Sequence, residues 1–126
     1  MSWAQHVAPQ SVNAQNFELV SLGTSLYHWF TVTDSAGSAN DGSSPVVTIS
    51  YGGGEAATPI LTLTDIPGVG GSVVRLTDTG FPDGCYQVNV VVSADNGFEA
   101  GKWYAIFATI NTDSQTPGEL IGTFRT

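Results

Sequence analysis

A two-residue rhythm of apolar and polar side chains most narrows what this chain can fold into. Over residues 85–92, Tyr86, Val88, Val90 and Val92 fall on one parity, with Cys85, Gln87 and Asn89 between them. Over residues 103–111, Tyr104, Ile106, Ala108 and Ile110 point one way and Trp103, Ala105, Phe107 and Thr109 the other. Successive side chains of a strand leave opposite faces, so this rhythm describes strands with one face on a core. The same pattern runs over residues 26–33, where Leu26, His28, Phe30 and Val32 oppose Tyr27, Trp29, Thr31 and Thr33. It recurs over 46–51, with Val47, Ile49 and Tyr51 on one side. No segment sustains a helical period.

Turn chemistry separates these runs. Gly52-Gly53-Gly54, Pro67-Gly68-Val69-Gly70-Gly71, the Asp78–Gly84 corner with Gly80, Pro82 and Gly84, and Asp95-Asn96-Gly97 all supply the backbone freedom that tight reversals need. Shorter strands are expected at 17–22, 60–64, 73–77 and 120–126. The prediction is therefore an all-β chain, an antiparallel Ig-like β-sandwich of about eight strands. Residues 16–126 form its single domain, since 126 residues without a linker or repeat make one unit of ordinary size. Residues 1–15 lack periodicity and read as an extended N-terminal arm, in which Trp3 and Val7 would need cover from the domain or a neighbour.

Charge excludes several function classes. The net charge is −8, and the only cations are Arg75, Lys102 and Arg125. Three cations cannot neutralise a run of phosphates, which argues against nucleic acid and against an anionic membrane surface. Only 11% of residues are charged, so neutral polar groups build most of the surface, a composition suited to a protein packed against other proteins. Cys85 is the sole cysteine, which rules out an intrachain disulfide. The first residues carry neither a basic nor an apolar signal segment, so synthesis in the cytoplasm without a secretion signal is expected.

No constellation for chemistry stands out. Cys85, His6 and His28 are the only thiol and imidazoles, and His28 sits on an apolar parity, as a satisfied core histidine would. The loop from Asp34 to Asp41 holds two acids and Asn40 without the alternating oxygens of a calcium loop, and Asx turns explain it better. The sequence alone leaves open whether an ion sits there. Glu18, Glu99 and Glu119 lie away from most turns but nothing pairs them as a glycosidase would require. The glycine runs lack a following lysine and helix, so no phosphate cradle is expected. No catalytic residue, metal or cofactor is assigned.

Aromatics on the second parity are the remaining signal. Tyr27 with Trp29, and Trp103 with Phe107, occupy the faces that should point away from the core. Something other than the core must cover them: the arm, a loop, a second subunit, or a sugar ring stacked on a flat side chain.

Two resemblances extend these readings. The segment Asp83-Gly84-Cys85-Tyr86-Gln87-Val88 resembles an Ig-type corner, in which a tyrosine at a strand start bonds back to the preceding turn, although the Ig cysteine pair and core tryptophan are not evident. The segment Ser93-Ala94-Asp95-Asn96-Gly97-Phe98-Glu99-Ala100-Gly101-Lys102-Trp103-Tyr104-Ala105-Ile106, with Gly122-Thr123-Phe124 beyond it, is similar to the C-terminal half of small tailed-bacteriophage virion structural proteins. Phe30-Thr31-Val32-Thr33-Asp34-Ser35-Ala36-Gly37 resembles their N-terminal strand and loop. The likeness spans most of residues 26–126 and departs at the arm, Cys85 and His28. It implies a β-sandwich subunit of the virion, such as a capsid decoration or cement protein. Its expected partners are the major capsid or tail protein and copies of itself, with Trp3, Val7, Tyr27, Trp29, Trp103 and Phe107 as interface residues. The alternative is a tail- or fibre-associated adhesion module that binds host glycan through Tyr27, Trp29 or Trp103.

Overall fold

Each alternating run becomes a strand, and the glycines between the runs supply the reversals. The computed structural model describes residues 18–34, 36–51, 59–112 and 118–126. The expected arm at 1–15, with Trp3 and Val7, lies outside these residues. Eight strands follow in order: β1 (Glu18–Leu19), β2 (Thr24–Thr31), β3 (Ser43–Tyr51), β4 (Leu61–Thr64), β5 (Gly71–Arg75), β6 (Cys85–Val92), β7 (Trp103–Asn111) and β8 (Gly118–Arg125). Two single turns of 3-10 helix, Leu76–Thr79 and Ala94–Asn96, end in left-handed Gly80 and Gly97.

The strands form a β-sandwich. One sheet has the order β1-β8-β7-β3-β4, the other β2-β6-β5. All neighbours are antiparallel except β1, which runs parallel to β8. The second, sixth and fifth strands share one sheet and the third, seventh and eighth the other, which is the immunoglobulin arrangement, with β4 added beside β3 as in variable-type domains. Among the described residues the first strand covers Glu18–Leu19 of the 17–22 run the sequence suggests; the Val20 N–H still bonds the Arg125 carbonyl, and the chain then turns at Gly23.

The core lies between the sheets. Leu26, Phe30, Tyr86, Val88, Val90 and Val92 meet Val47, Ile49, Tyr104, Ile106, Ile110 and Phe124, all buried. Each large side chain so buried stabilises the fold by about 1.5–3 kcal/mol. Phe98, Tyr104 and Phe124 close one end as an aromatic triad, with ring centroids 5.0–5.9 Å apart. Phe30 stacks on Tyr86 at 5.3 Å toward the other.

The corner tyrosine is not where the sequence placed it. Tyr86 does not bond back to its preceding turn; its hydroxyl donates to the Asp41 carbonyl, far upstream in the β2–β3 loop. The Ig-type corner is made instead by Tyr104 at the start of β7, whose hydroxyl accepts the Glu99 N–H at 2.8 Å. That tyrosine spans the connection between the two sheets, where the Ig corner belongs. Both tyrosines follow a glycine turn at a strand start, and only the strand order tells them apart.

Candidate functional site

Pairing register decides which outward side chains become neighbours. Tyr27 and Trp29 leave the outer face of the three-stranded sheet, and Trp103 and Phe107 leave the outer face of the five-stranded sheet. The sequence-predicted residues therefore form two patches on opposite sides of the sandwich, with the core between them. Trp3 and Val7 fall outside the described residues.

On the three-stranded face the register makes mixed rows. Tyr27 lies opposite Asn89, which lies opposite Ser72; Trp29 lies opposite Gln87, which lies opposite Val74. Tyr27 and Trp29 are 58% and 55% exposed. Phe81, from the corner before β6, sets its ring edge-on to Trp29 with centroids 5.4 Å apart. The sequence reading missed Phe81 because it lies in a corner rather than a strand; a bulky aromatic between Gly80 and Pro82 was the available signal. Asn89 Oδ1 is buried and has no hydrogen-bond partner among the described residues.

On the five-stranded face the rows around Phe107 are apolar or hydroxylic, while Trp103 at the end of the sheet lies opposite Arg125. Phe107 lies opposite Leu120 on β8 and Thr48 on β3. Leu120, at 49% exposed, is a further residue the sequence reading did not single out. Its outward position follows from a β-bulge: Ile106 pairs with Gly122 but Phe107 with Leu120, so Ile121 is the extra residue. The parity of β8 flips there, and no local sequence pattern announces it.

The bulge also explains His28. Its inward side chain crosses the sandwich, and Nε2 lies 2.8 Å from the Ile121 carbonyl. A carbonyl only accepts, so the ring donates through Nε2–H. A Cβ at Gly122 would stand 2.8 Å from the His28 ring, so glycine is what lets the histidine reach. Cys85 sits outward on β6, opposite Thr31. The described thiol and imidazole thus lie on opposite faces of one sheet and cannot act as a pair.

Asp34 and Asn40 of the 34–41 loop are engaged locally, Asp41 at long range. Asp34 Oδ1 accepts the Ala36 and Ser38 N–H groups at 2.9 and 3.0 Å, and Asn40 Oδ1 accepts the Gly42 N–H at 2.7 Å. These are Asx-type turns. Asp41 Oδ1 accepts the Gly84 N–H at 2.7 Å and the Thr77 hydroxyl at 2.8 Å. The Gly84 amide, more than Thr77 and Arg75, holds the Asp41 carboxyl below its usual range against a smaller opposing effect of burial. The Tyr86 hydroxyl on the Asp41 carbonyl is pushed up to about 12, chiefly by burial and next by the Asp41 charge. Asp41 therefore latches the β2–β3 loop onto the 3-10 turn and the corner before β6. Among the described residues no three His, Cys, Asp or Glu side chains converge as a metal site would require.

A cleft of about 430 Å³ opens between the sheets beside this latch, lined by Ser43, Ser44, Asp65, Arg75, Asp78 and Tyr86 among others. Arg75 and Asp78 pair across 3.5 Å at the surface. Ser44 takes a left-handed φ of 51° where β3 departs from regular pairing with β7. Near it, the connection from β4 to β5 exposes Ile66 and Val69, at 75% and 90%. No helix among the described residues is long and apolar enough to cross a membrane. No family profile matches the chain, and no curated protein matches it.

Proposed function

We propose that this chain is a non-enzymatic structural subunit of a tailed-phage virion, a capsid decoration or cement protein seated on the major capsid or tail protein and on copies of itself. The outer face of the five-stranded sheet carries this reading. Phe107 and Leu120, paired across two strands and 42% and 49% exposed, stand among Ala105, Thr48, Thr123 and Thr109 without an amide between them. Such a face buries well against another dry surface, at about 25 cal/mol per Å² before ordering costs. Trp103 stands further along β7, opposite Arg125, so the dry patch ends in a charged row. Trp3 and Val7 would add a second attachment, by strand addition of the arm to a neighbour's sheet edge.

The virion assignment itself rests on the likeness of segments 93–106, 122–124 and 30–37 to phage structural proteins. The test is incorporation. Particles assembled with a Phe107→Ser, Leu120→Ser double variant should lose most of this subunit, while the free variant keeps its unfolding midpoint to within a few degrees. Full incorporation of the double variant, with Trp3→Ala incorporated as well, would exclude this mode of attachment.

A further inference from the structure

The three-stranded face does not match the face just assigned to docking, and its chemistry suits a different partner. We infer that this face is a binding platform for a neutral oligosaccharide, with Tyr27 and Trp29 as stacking rings and Gln87 and Asn89 as the hydrogen-bonding groups.

Four observations converge on it. Tyr27 and Trp29 sit two residues apart on one strand, so their attachment points are separated by about 6.7 Å on the same face. Both rings are more than half exposed. The Phe81 ring edge abuts Trp29 at 5.4 Å and 79°, which holds the indole in place instead of leaving it to rotate freely. Gln87 and Asn89 lie directly opposite Trp29 and Tyr27, so every ring has a carboxamide beside it. A carboxamide both donates and accepts, which matches the paired hydroxyls of a sugar, and an aromatic face matches the apolar C–H face of a pyranose.

Charge selects the class of sugar. No outward side chain of these three strands is a Lys, Arg, Asp or Glu, although the chain carries a net charge of −8. A neutral partner meets no unpaired charge here, whereas an anionic glycan would face a negative protein without a cation to receive it. Nucleic acid is disfavoured on the same count. A second protein is the less suitable occupant, because the Gln87 carboxamide at the centre of the face would need a matched partner or lose its hydration.

Asn89 adds an independent indication. A buried acceptor without a partner is costly, and native structures seldom retain one without cause. It lies on β6 between Tyr27 on one neighbouring strand and Ser72 on the other. A ligand hydroxyl that reached Asn89 from the outer face, between the Tyr27 and Ser72 side chains, would satisfy it.

The experiment uses the full purified chain on an array of neutral and anionic oligosaccharides, followed by calorimetric titration of the strongest neutral compound, a readout that does not depend on Trp29. Binding should fall about tenfold or more for Trp29→Ala and for Gln87→Leu, and stay unchanged for Phe107→Ser. Three outcomes would overturn the inference: no neutral oligosaccharide bound at millimolar concentration, binding confined to sulfated or sialylated glycans, or equal affinity in Trp29→Ala. A self-association abolished by Trp29→Ala in sedimentation would overturn it too, by assigning the face to a second copy. Phe107→Ser and Leu120→Ser read incorporation and leave this face intact, so failure of the docking reading and failure of this one give different results.

Discussion

The two outer faces are built from the same strand geometry and differ in what stands beside each ring. On the five-stranded sheet Phe107 has Leu120 and Thr48 as neighbours; on the three-stranded sheet Trp29 has Gln87 and Tyr27 has Asn89. Alternation alone decides which residues leave the core. The cross-strand neighbour then decides whether an exposed ring is part of a dry patch or of a wet one. Two aromatics two or four residues apart look alike in a sequence, and pairing is what distinguishes them.

The backbone under the faces differs as well, and this offers the largest effect by which to break the comparison. A Cβ at Gly71 on β5 would lie 1.8 Å from the Asn89 carbonyl oxygen, at a φ of +127°. Gly71→Ala should cost about 3 kcal/mol or more in urea unfolding, through strain and a lost rung between β5 and β6. At Gly122 on β8 the obstacle is the His28 ring, a side chain that can retreat. Gly122→Ala should cost less, about 1–2 kcal/mol, mostly from losing the His28 bond to Ile121. Equal costs would mean that the three-stranded sheet is no stiffer than the other.

The latch at the end of the three-stranded sheet is the next effect in size. Asp41→Ala leaves the Gly84 N–H and Thr77 hydroxyl without their acceptor and should cost about 1–3 kcal/mol, read from the same unfolding curves. The latch also sets the pH limits. The carboxyl of Asp41 is lowered by the fold, so its contribution is present above about pH 4 and fades as the pH falls through its folded value. The Tyr86 hydroxyl is raised to about 12, so its contribution is intact below about pH 10 and is lost as the pH rises through 12. Stability against pH should therefore drop at both ends, and Asp41→Asn should blunt the acid limb.

The smallest effect sharpens the contrast most. Asn89→Val removes the partnerless acceptor and places a good strand former on β6, so it should raise stability by about 1 kcal/mol. The same change should weaken oligosaccharide binding. A loss of stability instead would show that Asn89 Oδ1 is satisfied in solution and that the face carries no stored cost.

Much of this fold was legible in the residues. The inward sets of β6 and β7 follow from parity, as do the burial of Phe30 and Val32 and the outward Tyr27, Trp29, Trp103 and Phe107. What parity could not carry was non-local. Tyr86 and Tyr104 present the same local signature, and the corner role goes to whichever begins the strand after the crossing between sheets. The partners of Asp41 lie 36 and 43 residues away, so a loop acid that reads as an Asx turn proves to tie three segments together. Leu120 is exposed only because β8 gains an extra residue at Ile121. The division of the aromatics into two patches required strand order, which no single strand contains.

Because the patches point in opposite directions, a subunit seated by one sheet necessarily turns the other outward. Copies arrayed on a repeating shell would present the Tyr27–Trp29 rings as a lattice of identical weak sites. A weak but measurable affinity for one copy is then multiplied over many simultaneous contacts, so that grip on a polymer of repeating units would come from number and spacing.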